Sequence, residues 1–145
     1  MLATENEFFF DQSEPNHCPE EGRIGDCFRA CLAAVFRRPL SDIPLPSDDD
    51  KEWLRIYREW LLSIGFLRLH FEVPTLDWFP TNLDEFDTAN FYYIVSGPSP
   101  RFPGVLHSVV GCNGRLVHDP HPSREFLSPD AEQYSFEVFT PAYPK

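Results

Sequence analysis

The chain predicts an α+β fold, with N-terminal helices packed on a mostly antiparallel sheet. Three observations carry that expectation. Apolar side chains recur at helical spacing over 53–64, alternate at period two over 66–73, and then gather in four further short runs that read as strands. Helices followed by a run of strands is the α+β order.

The elements follow in order. Residues 1–24 read as an irregular, polar segment, with "EFFF" at 7–10 as an edge strand or a hydrophobic anchor. A first helix starts at Asp26, a capping residue type, and runs through "CFRACLAAVFRR" to a stop at Pro39. Leu32, Val35 and Phe36 are its apolar positions, and "PLSDIPLPSD" is a linker. In "DDKEWLRIYREWLLSIG", Trp53, Tyr57, Trp60, Leu61 and Ile64 form one core-facing helical face, and Gly65 suits a left-handed C-cap. "FLRLHFEV" (66–73) then sets Leu67, Leu69, Phe71 and Val73 against Arg68, His70 and Glu72, as in a half-buried strand. Strands are also expected at 90–97, 105–111, 115–119 and 134–140.

Composition bounds the function. The 145 residues suit one domain, 1–145, with a sizeable core. The 15% aromatic content suits packing against a sheet, and 15 Pro against 7 Gly implies long, stiff loops. A net charge of -11 argues against a nucleic-acid partner, since a phosphate backbone needs a basic footprint. The acidic run "SDDDKE" (47–52) reads as a solvated helix start. No apolar run approaches the ~18 residues of a membrane span, and "MLATENEFFFDQSEPN" lacks the basic end of a signal peptide. A cytoplasmic protein is therefore expected, with Cys18, Cys27, Cys31 and Cys112 as free thiols, and neither cofactor nor metal is expected.

The "NG" at 113–114, between apolar runs, signals a hairpin. A two-residue turn sets Val109 opposite His118. A three-residue loop, Cys112-Asn113-Gly114 with Gly114 left-handed, sets Val109 opposite Val117 and Val110 opposite Leu116. The second register matches apolar with apolar and is the one expected. It also puts His107 opposite Asp119, Cβ atoms about 5 Å apart, and a carboxylate-held imidazole is what a general base needs.

A helix N-terminus beside a histidine favours thiolate, so Cys27 is the candidate nucleophile. Its sulfur is expected within about 4 Å of a His107 ring nitrogen. Cys31, one turn deeper, reads as a buried small hydrophobe, and Cys18 and Cys112 fall in loop contexts. A rival reading takes Cys27, Cys31, His107, His118 and His121 as zinc ligands, but their spacing is weak evidence for a site.

The order Cys27, His107, Asp119 resembles papain-like cysteine peptidases. "GDCFRACLA" is similar to the Asp-Cys-x-x-Ala-Cys-Leu signature of domains that trim double-glycine leaders from bacteriocins, and "LHSVV…VHDP" to their His and Asp-Pro strands. "GDCFRACLAAVFRRPLSDIP", "SGPSPR" and "VHDPHPS" also resemble small uncharacterised bacterial and phage proteins. The resemblance implies a papain-like fold with Cys27 as nucleophile, His107 as base and Asp119 as its orienter. Where papain-like enzymes carry an oxyanion-holding Gln, six residues before the cysteine, this chain has Glu21, which cannot donate when ionised. Gln12, Asn16 and His17 are the candidate substitutes, and without one a donor worth ~3 kcal/mol is lost. Ser99 and Arg101 in "SGPSPRFPG" are candidate substrate contacts on one cleft rim, with Arg101 suited to a carboxylate or phosphate, and His121 and Ser123 are candidates on the other.

The expected activity is a cysteine-dependent hydrolase or acyl transferase acting on an amide, isopeptide or thioester bond of a peptide or protein substrate. The alternative is a non-catalytic binding or inhibitor protein on the same scaffold, such as a phage-encoded blocker whose acidic surface suits a basic partner.

Overall fold

A computed structural model describes residues 6–76, 89–129 and 131–143. Two helices, α1 (Cys27–Phe36) and α2 (Asp50–Ser63), precede five strands: β1 (Phe66–Val73), β2 (Tyr92–Pro98), β3 (Leu106–Cys112), β4 (Arg115–His118) and β5 (Tyr134–Pro141). The strands form one sheet in the order β1-β5-β2-β3-β4, every neighbouring pair antiparallel. The expected α+β class is therefore observed. The first five residues of the irregular 1–24 segment lie outside the described residues.

Alternation along the central strands sends side chains to two cores. Ile94 and Val110 pack with Leu32 of α1, Tyr57 and Leu61 of α2, and Ile43 of the linker between the helices. Tyr93, Val95 and Val109 point the other way, to Val73, Leu127 and Tyr134. Fully buried Ala30, Ala33 and Ala34 keep α1 thin enough to lie close on the sheet. The helix ends two residues before its expected limit. Pro39 disfavours a helical Arg38, and Arg37 turns left-handed at φ 53° while Arg38 N–H bonds the Ala33 carbonyl at 3.0 Å. In α2, Asp49 caps the Glu52 N–H at 2.9 Å, and Gly65 ends the helix at φ 87° as expected. The linker after Pro39 contains a short 3-10 turn, Leu40–Asp42.

Of the two readings of "EFFF", the hydrophobic anchor is the one observed, with Phe9 and Phe10 packed on the helix-side core and no strand formed. Two other expectations are corrected. In β1 the spacing is right but the burial is not. Leu67, Leu69 and Phe71 are 43%, 41% and 45% exposed, whereas Arg68 ion-pairs with buried Glu137. As the edge strand, β1 has a neighbour on one side only, and its polar face is the one turned toward α2.

The hairpin is the second. It closes through a two-residue Asn113-Gly114 turn with φ of 50° and 89°, pairing Cys112 with Arg115 and Gly111 with Leu116. A bulge between Val110 and Gly111 then sets Val110 opposite His118, not Leu116. Partners outside the hairpin outweigh apolar matching within it. The Tyr93 ring covers Gly111, where a Cβ would meet Cε2 at 2.3 Å, and the Tyr93 hydroxyl accepts the Gly114 N–H at 3.0 Å. On the opposite strand, His118 is buried, stacked on Phe9 at 4.7 Å with Nε2 bonded to the Phe10 carbonyl at 2.9 Å.

Candidate active site

Cys27 opens α1, half-buried. Asp26 before it does not cap the helix with its side chain, contrary to its residue type. That carboxylate, 1% exposed, instead accepts from the Ser13 hydroxyl (2.6 Å), the Glu14 N–H (2.8 Å) and Arg29 Nη1 (3.2 Å). It thus sews the N-terminal segment beside the start of α1, which brings residues 12–17 to the cysteine.

Asp119 follows β4 and is fully buried. Its Oδ1 lies 2.6 Å from His107 Nε2 and accepts the His121 N–H at 2.9 Å, while Oδ2 accepts the Phe126 N–H at 2.8 Å. Burial pushes this carboxyl up, but the bonds from His107 and the two backbone amides outweigh it and hold it below the usual range. For His107 burial acts downward, and hydrogen bonds to Asp119 and to Cys27 overcome it, raising the ring from 6.5 to about 9. With Nε2 committed to Asp119, Nδ1 is the atom left for the cysteine. The expected His107–Asp119 contact is thus made, although the register expected to produce it is not; β4 ends at His118, and Asp119 reaches the ring from the following turn.

A cleft of about 670 Å³ opens over Cys27 and His107. Gln12 and His17 line it; Asn16 and Glu21 do not. Gln12 is 8% exposed, with Nε2 donating to the Glu14 carbonyl at 2.7 Å and Oε1 buried without a partner. His17 Nδ1 accepts the Gly25 N–H at 2.9 Å, which puts its proton on Nε2. A Cβ on Gly25 would press on His17 Cβ at 3.2 Å, so the glycine permits this approach. Asn16 is exposed, its carbonyl accepting from Arg23, and Glu21 is ion-paired with the same arginine.

On the opposite rim, the Ser99 hydroxyl accepts the Arg101 and Phe102 N–H groups, both at 3.1 Å, and so shapes the loop. Arg101 lines the cleft and donates from Nη1 to Ser123 Oγ at 2.9 Å, with Nε buried and unpartnered. His121, also lining, packs edge-on to His107 at 6.2 Å; burial, then Arg101, lower its affinity for a proton. Ser123 is exposed and off the cleft, reaching it through Arg101 and His121.

The other cysteines are spent elsewhere. All four thiols are free; Cys31 is fully buried, and burial raises its pKa well above the ordinary value. Cys112, expected in a loop, is buried at the end of β3. Among the described residues no three His, Cys, Asp or Glu side chains gather as a metal-ligand set, and His118 is committed to Phe10, so the five residues of the zinc reading are not brought together.

Sequence reasoning missed the far arm of the cleft, where Arg68, His70, Ser96, Ser108, Ser135 and Glu137 lie. The available signal was polar residues within otherwise apolar strands: Ser96 in "YYIVSG", Ser108 in "LHSVV" and Glu137 in "YSFEVFT".

Fold and site together define an α+β protein with a helix-start cysteine and a histidine lining one cleft, the histidine hydrogen-bonded to a buried aspartate. No family model matches the chain, and no solved structure matches it. It is 40% identical over 59 residues to "Cholesterol side-chain cleavage enzyme, mitochondrial" of Sus scrofa, a match covering 41% of this chain and 11% of that protein. The chain therefore spans about a tenth of that relative's length, and the match assigns no family. Among the described residues no helix is long and apolar enough to cross a membrane.

Proposed function

We propose that the protein is a cysteine-dependent hydrolase or acyl transferase of papain-like architecture, acting in the cytoplasm on an amide, isopeptide or thioester bond of a peptide or protein. One observation carries this reading: His107, bonded to buried Asp119 through Nε2, lines the same cleft as Cys27, which begins a helix. Raised to about 9, the ring holds a proton at neutral pH.

In the reaction Cys27 Sγ attacks the carbonyl carbon, and the carbonyl electrons move to oxygen. The oxyanion collapses as His107 Nδ1–H protonates the leaving group, giving an acyl-enzyme. His107, now neutral, takes a proton from water or an acceptor nucleophile, which attacks the acyl carbon and returns Sγ to thiolate. Asp119 holds the imidazole orientation and stabilises its cation. Gln12 is the better-supported oxyanion partner for the Cys27 N–H. An amide carries two N–H donors, and only one is spent on Glu14. His17, which presents Nε2–H, is the other candidate. Arg101, Ser99 and His121 form the substrate rim, with Ser123 supporting two of them.

A non-catalytic binding protein on the same scaffold is the second reading. It is favoured by Glu21, turned outward to Arg23, and by a net charge of -11 that suits a basic partner.

Iodoacetamide kinetics against pH, with peptide mapping, test the catalytic reading. Cys27 should alkylate at least tenfold faster than Cys18 at neutral pH, and His107→Ala should remove that advantage; Cys27→Ser controls for the site. Equal rates at the two cysteines, unmoved by His107→Ala, would leave the binding protein as the better reading.

A further inference from the structure

The cleft continues from Cys27 into an arm between the start of α2 and the sheet, and its floor is unusual for a core-facing surface. Strand pairing sets Ser108 opposite Ser96, and Ser96 opposite Ser135, in one row across β3, β2 and β5. Ser96 and Ser108 share a hydroxyl–hydroxyl bond of 2.7 Å. Two residues along β5, Glu137 sits at the bottom, its side chain 5% exposed. Arg68 Nη1 lies 3.0 Å from Oε2 but directs its hydrogen bond to Oε1 at 3.2 Å, where His70 Nδ1 also contacts at 3.0 Å. Oε2 thus has an ion contact yet accepts no directed hydrogen bond, which is costly for a buried carboxylate oxygen.

Asp48 and Asp50 stand exposed at the lip of this arm. Across the whole cleft, Asp26, Asp48, Asp50 and Glu137 stand against Arg29, Arg68 and Arg101, a formal excess of one negative charge, and the two exposed carboxylates lie on this arm. The walls are Trp53, Leu54 and Tyr57, apolar surface of the kind that accepts a methylene stem or stacks a cation. Strand spacing puts the Ser135–Glu137 end roughly 10 Å from the His107 strand. That is the reach of a side chain one or two residues from a scissile bond.

We propose that this arm is a specificity subsite for a basic side chain, lysine or arginine, of the substrate. The stem lies along Trp53 and Leu54. The cationic head donates to the serine hydroxyls and is drawn by the Glu137 carboxylate beneath them, and Asp48 and Asp50 attract it at the entrance. The subsite rests on the thiol-enzyme reading for its purpose but not for its existence, and the test separates the two.

Three peptidyl vinyl sulfones, with lysine, norleucine or glutamate two residues from the electrophile, are compared by their rates of labelling Cys27. The lysyl probe should react at least tenfold faster than the norleucyl one, with the glutamyl probe slowest. Glu137→Gln should bring the lysyl-to-norleucyl ratio within threefold of unity. The double variant Asp48→Asn, Asp50→Asn, on the exposed lip and away from the buried ion pair, should lower it two- to threefold. If iodoacetamide labels Cys27 selectively while the three probes react at one rate, or if both variants keep the lysine preference, the subsite is overturned and the thiol reading stands. If no electrophile labels Cys27, the thiol reading fails. The subsite is then read from amide NMR shifts of Ser96, Ser108 and Ser135 on adding Nα-acetyl-lysine N-methylamide; shifts no larger than with the norleucine analogue overturn it.

Discussion

Replacing Asp119 by asparagine isolates what the buried carboxylate does. It removes the charge and makes one of two acceptor oxygens a donor, while all three groups facing it, His107 Nε2 and the His121 and Phe126 N–H groups, donate. Whichever way the amide turns, at least one donor meets NH2, and losing a charge-assisted bond in a fully buried site costs roughly 1.5–3 kcal/mol. A second effect depends on pH. His107, raised from 6.5 to about 9, binds its proton about 3 kcal/mol more tightly folded than unfolded. Because the folded value is the higher one, this stabilisation is complete below pH 6.5 and is lost as pH rises through about 9. Asp119→Asn should therefore cost roughly 5 kcal/mol at pH 6 and about 2 kcal/mol at pH 10 in urea unfolding. In NMR titration the His107 ring should fall from about 9 toward 6.5. A loss equal at both pH values, or a ring still titrating near 9, would refute the claim that Asp119 holds the imidazolium.

Two further substitutions test how the site is positioned. Gly111→Ala brings a Cβ to 2.3 Å from the ring of Tyr93, itself fully buried and tied to Gly114, so thermal unfolding should show a loss of about 1–3 kcal/mol; an unchanged Tm would mean that the ring does not hold the hairpin. Asp26→Ala leaves Arg29, the Glu14 N–H and the Ser13 hydroxyl without their shared acceptor, and about 3–5 kcal/mol should be lost in urea titration, with faster proteolysis within residues 6–24. Wild-type protection of that segment would show that other contacts hold it to α1.

Local sequence chemistry determined most of the elements. The apolar spacing of Trp53, Tyr57 and Leu61, the cap pair Asp49 and Gly65, and the strict alternation of 66–73 each specify their backbone within one or two turns of chain. The helix-start position of Cys27 was legible for the same reason, as was a turn at Asn113-Gly114, where left-handed conformations are needed. What lay beyond sequence was anything fixed by a partner distant in the chain. Apolar matching within 106–118 favoured one register, yet Tyr93 over Gly111 and Phe9 against His118 impose another. Asp26 is a capping residue by type, but an unpaired Glu14 N–H and Arg29 compete for it and win. Arg68 and His70 look like the wet face of a strand until β5 sets Glu137 beside them. Sequence determines which conformations are locally cheap; only the assembled tertiary structure decides which polar groups are taken from water together, and that desolvation sets the pairing of His107 with Asp119 and the polar floor of the cleft.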